Sequence, residues 1–242
     1  MLHVLFALSL TTTAHAKGLD ISVLTPESTI PAKGVVVITQ STEIAAAPEF
    51  IQPYLQDLNQ WPNWTAWSKE KDPGAAWTFS GDPGTVGHTM TWDGKVLMSG
   101  KLALTAVNAN AGIAYDTWFG KSKDAAKGRI TLTATDAGTK VEWQDVTAWG
   151  FPASLFFPAK KMNEMVSADF VVGLGKLKVM AEADAAKAAA EAAAKAAEEA
   201  AAKAAAEAAA KAAEEAAAKA AAEEAERLAA EEAAKKGKKK KK

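Results

Sequence analysis

The residues in this chain with chemistry to offer are few, and most of them are aromatic. Of its three histidines, His3 and His15 fall in an apolar N-terminal stretch. His88 is alone in the body, beside the Gly84–Gly87 turn, where a histidine serves as a surface or hydrogen-bonded residue. Cysteine is absent, so disulfides, thiolate nucleophiles and metal sites built from histidine and cysteine are excluded by supply. A Ser-His-Asp arrangement would have to use His88, and no serine occupies a G-x-S-x-G turn. Neither phosphate-loop nor dinucleotide glycine spacing occurs; Gly173-Leu174-Gly175 lies inside a helical stripe, where close packing explains it. No metal and no cofactor is expected. Acid–base work is left to Tyr115 and to carboxylates such as Asp145. The chain does carry eight tryptophans. Trp61, Trp64 and Trp67 crowd one short stretch, while Trp92, Trp118, Trp143 and Trp149 fall on or beside strand-like segments. Rings of this size either fill a core or line a pocket for an apolar molecule. Asn63-Trp64-Thr65 fits a glycosylation sequon but falls inside the aromatic stretch and is discounted.

Positioning these rings requires a folded body. The last quarter of the 242 residues is nearly all Ala, Glu and Lys; the roughly 150 that remain can bury about 70% of the surface their unfolded chain exposes. Residues 1–16 hold an apolar run, Val4 to Leu10, and an Ala14-His15-Ala16 cleavage pattern, so export is expected, with a cytoplasmic location as the alternative. The run is shorter than the about 20 residues a bilayer span needs. Residues 17–33, with Pro26 and Pro31, read as a lead-in. A strand begins near Gly34 with Val35-Val36-Val37-Ile38-Thr39. Pro48 suits the first turn of a helix that Pro53 keeps brief. From Ala75, turn chemistry at Gly81-Asp82-Pro83-Gly84, Trp92-Asp93-Gly94-Lys95, Asn108 to Gly112 and Asp136-Ala137-Gly138 predicts an antiparallel meander. Ile113, Tyr115, Thr117 and Phe119 share one face, as do Ile130, Leu132 and Ala134, and Val141 and Trp143. After Trp149-Gly150-Phe151-Pro152 the period changes to three and four through Leu155, Phe156, Met162, Met165, Val166, Phe170, Val171, Leu174, Leu177 and Met180, predicting a long C-terminal helix.

Beyond it, KAAAEAAAKAAEEAAA begins at Lys187 and recurs at Lys203, with a degraded copy from Lys219. Helix propensity there is near maximal, and Glu191–Lys195, Glu199–Lys203, Glu207–Lys211 and Glu215–Lys219 are spaced for pairs worth about 0.2–0.5 kcal/mol each. Leu228 is the only large apolar side chain after Met180, so no seam drives coiled-coil pairing. A single solvated helix is expected, roughly 80 Å long from Ala181 to Ala234 at 1.5 Å per residue. The net charge of -1 is unevenly spread: the chain through Asp184 has 15 basic and 18 acidic residues, and the remainder has 13 basic and 11 acidic. Lys235, Lys236, Lys238, Lys239, Lys240, Lys241 and Lys242 make the end strongly cationic. Such a cluster can contact an anionic membrane or polyanion, at about 1 kcal/mol per lysine near anionic lipid. Nucleic acid is a partner only if the chain is not exported. The same lysines can also complement the helix dipole and bind nothing.

One stretch carries more than composition. Leu58 to Pro73 reads LNQWPNWTAWSKEKDP. It follows the Val35 run and the Pro48–Leu55 helix candidate, and precedes Gly84-Thr85-Val86-Gly87, Thr91-Trp92, Gly100, Gly138-Thr139-Lys140-Val141-Glu142-Trp143 and Gly173-Leu174-Gly175-Lys176-Leu177-Lys178. In that order, from Gly34 to Glu182, the chain resembles the polyketide-cyclase-like proteins of the START/Bet v1-like (SRPBCC) superfamily. The resemblance implies an α+β helix-grip fold, in which a curved antiparallel sheet wraps a long last helix and leaves an apolar cavity between them. The domain organisation is then 1–16 export signal, 17–33 lead-in, 34–182 helix-grip domain, 183–234 helical spacer and 235–242 lysine tail. Inward parity picks Met90, Trp92, Leu102, Leu104, Tyr115, Ile130, Leu132 and Trp143 from the sheet and Phe156, Met162, Met165 and Phe170 from the helix as cavity residues, together with Trp61 and Trp64. The Tyr115 hydroxyl is placed to orient a ligand's polar end. The expected function is binding of a small hydrophobic or amphipathic ligand (lipid, polyketide-like or aromatic) by a monomer. A cyclase/dehydrase-like enzyme and a structural or anchoring protein are the alternatives.

Overall fold

In the computed structural model, residues 34–149 and 153–239 are described. The expected export signal, the lead-in, 150–152 and 240–242 lie outside them. Strand β1 (Val35–Ile44) is followed by helix α1 (Pro48–Gln56), a 3-10 turn (Leu58–Gln60) and the one-turn helix α2 (Trp61–Trp64). Six strands come next, β2 (Ala76–Ser80), β3 (Thr89–Asp93), β4 (Ser99–Asn108), β5 (Gly112–Phe119), β6 (Ala126–Thr135) and β7 (Gly138–Ala148), and then α3 (Ala153–Phe156) and α4 (Ala159–Lys239). The strands form one antiparallel sheet in the order β1-β7-β6-β5-β4-β3-β2. The meander is thus consecutive, and the first strand closes on the last. Gly138 makes the β6–β7 turn at φ 137, where a Cβ would run into the Ile44 carbonyl; only glycine fits there.

Period-two burial puts Ile130, Leu132, Val141, Trp143, Leu102 and Leu104 on the inner face. Against it lies one stripe of α4, with Met162, Phe170, Leu174, Leu177 and Ala181 buried at steps of three, four or eight. The same helix guards the free edge of β1 with polar contacts. Asn163 Nδ2 donates to Val37 O (2.9 Å), Lys178 Nζ to Glu43 O (2.7 Å), and the Ala45 N–H donates to Glu182 Oε1 (2.8 Å). This is the helix-grip fold, α+β in class. Gly173 lets α4 approach, since a Cβ would lie 3.0 Å from the Trp143 ring, whereas Gly175 faces open space.

Two expectations need correction. The helical stripe does not run unbroken from Leu155: Pro158 separates α3 from α4, because the residue before a proline is pushed out of the helical region. Phe156 is therefore 86% exposed instead of inward-facing. Met165, also expected inside, is 52% exposed and keeps one side on the interior.

The chain divides into two compact units, Met1–Ala185 and Ala186–Lys242. The described part of the second is helical. Its ion pairs include Lys187–Glu191 and Lys219–Glu223 at 4.0 Å and Arg227–Glu224 at 2.7 Å, all exposed. The Glu-first pairs read from the repeat are not formed within 4.0 Å; lysine-first pairs take two of their residues.

Candidate functional site

Between the sheet and α4 the interior has two ends, and tryptophan builds both. At the first, Pro62 starts α2, and the three-residue spacing of Trp61 and Trp64 puts both indoles on one face of a single turn. The last carbonyls of a helix lack partners within it. Those of α1 receive the two rings, Trp61 Nε1 donating to Leu55 O (2.9 Å) and Trp64 Nε1 to Tyr54 O (3.1 Å). Trp61 meets Tyr115 edge-on at 5.3 Å, Trp64 lies 5.3 Å from Trp143, and Trp143 stacks on Phe170 at 4.0 Å. This end is solid.

The other end holds a cavity of about 420 Å³, within the roughly 300–1,000 Å³ range of small-molecule sites. Its wall is mostly apolar: Trp67, Trp92, Leu97, Phe119, Trp149 and Phe157, with Met162, Met165 and Val166 from α4. Trp67 and Trp92 are parallel, 6.3 Å apart. Phe119 sits edge-on to both. Trp92 lies across Gly100, where any side chain would collide with its ring. The loop after α2 closes one flank. Asp72 accepts from the Val96 and Leu97 N–H groups (2.8 and 3.2 Å), which hold its carboxyl below the usual carboxylate range and fix the loop to the β3–β4 turn. Lys71 Nζ donates to both Asp169 oxygens at 2.9 Å and ties the loop to α4.

The polar side chains of the wall are Lys71 and Asp169, paired with each other, Thr147, and Asp145. The pairing register sets Tyr115 on β5, Gly128 on β6 and Asp145 on β7 in one row across three strands. Because Gly128 has no side chain, the tyrosine reaches over it; a Cβ there would overlap both neighbours. Trp143 Nε1 donates to the Tyr115 hydroxyl (2.6 Å), which donates to Asp145 Oδ1 (2.6 Å). Burial pushes the Asp145 carboxyl up to about 7, against the lowering effect of the tyrosine bond. Burial, then the neighbouring carboxylate, pushes the Tyr115 hydroxyl well above 10. Among the described residues no hydrogen bond reaches Asp145 Oδ2. The site therefore presents, apart from the Lys71–Asp169 pair and Thr147, one carboxyl that can donate or accept near neutral pH in a mostly apolar wall.

Of the fourteen residues singled out from sequence, Trp92, Met162 and Met165 are on this wall. Trp61, Trp64, Met90, Leu102, Leu104, Tyr115, Ile130, Leu132, Trp143 and Phe170 are packed in the core, and Phe156 is outside. Tyr115 is 1% exposed, with its hydroxyl bonded on both sides, so it meets the cavity only through Asp145. Trp67, Phe119, Trp149 and Phe157 are also wall and lie outside those fourteen. Strand parity does pick Phe119; the others follow loops whose course no period reveals. His88 is buried far from a ligand role: its Nε2 accepts from the Leu58 N–H (3.0 Å), and its Nδ1 lies 3.1 Å from the Ser80 and Gly81 carbonyls. A proton on Nδ1 satisfies all three.

The family model described as "Polyketide cyclase / dehydrase and lipid transport" matches residues 35–182. Among solved structures, protein CV1439 from Chromobacterium violaceum is similar at 16% identity and TM-score 0.44, over 60% of this chain and 97% of that one. The di-domain ARO/CYC StfQ from the steffimycin biosynthetic pathway is similar at 14% and 0.48, over 64% and 52% of the two chains. Ara h 8.0201 is similar at 11% and 0.44, over 61% and 98%. No curated protein matches.

Proposed function

The chain belongs to the polyketide cyclase / dehydrase and lipid transport family, and from that premise we propose that it binds one small, largely apolar molecule in the cavity beside Asp145, the polar end of the ligand meeting that carboxyl. The observation that carries this reading is a mostly apolar space of about 420 Å³ whose wall holds a buried carboxyl, one oxygen of which receives no hydrogen bond from the described residues. A ligand hydroxyl or carbonyl would complete its hydrogen bonding, and the aromatic wall would take the rest. Titration with the neutral dye N-phenyl-1-naphthylamine tests it. Quenching of tryptophan emission should saturate near one equivalent, since Trp67, Trp92 and Trp149 line the space. Val166→Trp, which fills it from α4, should abolish the response without unfolding the protein. Undiminished binding by this variant, or no binding at all, overturns the proposal.

The same carboxyl favours a second reading, acid–base help in a cyclisation or dehydration of a bound chain. A group titrating near 7 can give and take a proton at physiological pH. Under this reading Asp145→Asn abolishes turnover of a poly-ketone substrate while dye binding persists. If Asp145→Asn leaves such turnover unchanged, only the carrier reading remains. For the cationic end, residues 235–242, the proposed role is contact with an anionic surface; deleting them should release the protein from a polyanion resin, and unchanged retention removes the idea.

A further inference from the structure

Three short segments around the cavity carry apolar side chains that protrude into water. The β3–β4 turn presents Val96 and Met98, 61% and 62% exposed, and both are also cavity wall. Phe119, 40% exposed and wall as well, opens the β5–β6 turn that ends at the wall residue Ala126. Leu155 and Phe156, 68% and 86% exposed, immediately precede the wall residue Phe157. Met165 adds a fourth element at 52% exposed. Isolated exposed apolar residues are ordinary, but a set gathered on the rim of one apolar cavity marks a surface that is covered in use.

The charges on the same segments indicate what covers it. Lys95 adjoins Val96; Lys121 and Lys123 lie between Phe119 and Ala126; Lys160 and Lys161 lie between Phe157 and Met162. All five are exposed. The acids on or beside these segments are Asp93, Asp124 and Glu164, the last 3.9 Å from Lys160, fewer than the lysines. The loop flank adds no net charge, since Lys71 pairs with Asp169 and Glu70 with Lys176. The rim is thus apolar at its projections and cationic between them, the pattern that suits an interface with anionic headgroups over acyl chains.

From this juxtaposition we propose that the cavity mouth docks on an anionic lipid bilayer, with Val96, Met98, Leu155 and Phe156 entering the headgroup layer and the five lysines contacting lipid phosphates. Docked in this way, the cavity opens toward the acyl phase, and an apolar ligand passes between bilayer and pocket without crossing water. The inference rests on the pocket reading for its purpose, but its geometry is tested separately. Among the described residues no helix is long and apolar enough to cross a membrane.

The absence of cysteine makes the test direct. Phe156→Cys, Met98→Cys and, at the opposite end of the β4–β5 hairpin, Asn110→Cys are each made in the full chain and labelled with a polarity-sensitive dye. Mixed phosphatidylglycerol and phosphatidylcholine vesicles should shift the emission to shorter wavelength at 156 and 98 and leave 110 unchanged; pure phosphatidylcholine should give a smaller shift at both. If the chain binds vesicles and all three probes stay in water, the lysine-rich C-terminus alone is responsible and the proposal falls. Equal shifts at all three, or none, also overturn it, the latter leaving the rim to a protein partner. Titration with N-phenyl-1-naphthylamine in the absence of vesicles reports independently on the pocket, so the two readings fail separately.

Discussion

Two ends of one interior, built from the same residue type, differ in whether space remains. Toward α1 and α2, the rings of Trp61, Trp64, Tyr115, Trp143 and Phe170 are at most 1% exposed and fill the gap between sheet and helix. Toward the β3–β4 and β5–β6 turns, Trp67, Trp92, Phe119 and Trp149 stand around about 420 Å³. The difference is an inserted element. Helix α2 drives two indoles into the first end, and their N–H groups are held by α1 carbonyls. At the second end a loop crosses instead, pinned by Asp72 to a neighbouring turn, and the Trp92 and Trp149 indoles donate to the Leu97 and Phe157 carbonyls of the wall. A wealth of tryptophan therefore does not itself specify a pocket.

The largest expected contrast is in stability. Trp143→Ala should cost about 3–5 kcal/mol by denaturant unfolding, as for large rings removed from a filled core. Trp67→Ala, at a wall that already borders space, should cost clearly less and change dye affinity instead; equal losses would erase the distinction between the ends. Next comes pH. The Asp145 carboxyl is raised from 3.8 to about 7 in the folded state, so the native protein holds the proton more tightly than the unfolded chain between those values. Stability is then full below about pH 4 with respect to this group and declines as pH rises through 7, by roughly 2–4 kcal/mol. Asp145→Asn should remove that part of the slope, and an unchanged profile would place the carboxyl in water. Tyr115→Phe strands the Trp143 N–H and one carboxyl oxygen, which should cost about 1–3 kcal/mol. It should raise the Asp145 titration further, readable by carboxyl NMR, yet leave dye binding intact because Tyr115 is not wall. The smallest effect belongs to Lys71→Met: its half-exposed pair with Asp169 should contribute under about 1 kcal/mol, with dye release faster if the pair helps hold the loop closed.

Much of the fold was legible because its causes are local. Turn residues at fixed places and a period of two over β2 to β7 specify a meander, and the later three-and-four period specifies α4. The interruption at Pro158 was equally visible, but an apolar stripe on either side of it hid the consequence that Phe156 turns outward. At the site, Tyr115 and Asp145 were each picked as candidate polar groups, and Gly128 was not. The clue was present in the hairpin registers, which place a glycine between them; finding it requires the pairing of three strands at once.

The sequence by itself determined the order of elements, the inward face of each strand and the uninterrupted helicity favoured by the Ala/Glu/Lys repeat, because each depends on neighbours within a few residues. Only the tertiary structure decided which inward rings touch one another and which leave a hollow, that Asp145 alone carries Tyr115 to that hollow, and that exposed apolar residues from three distant segments share its rim. Those outcomes depend on volumes and distances between residues far apart in the chain, and no periodicity along it records them.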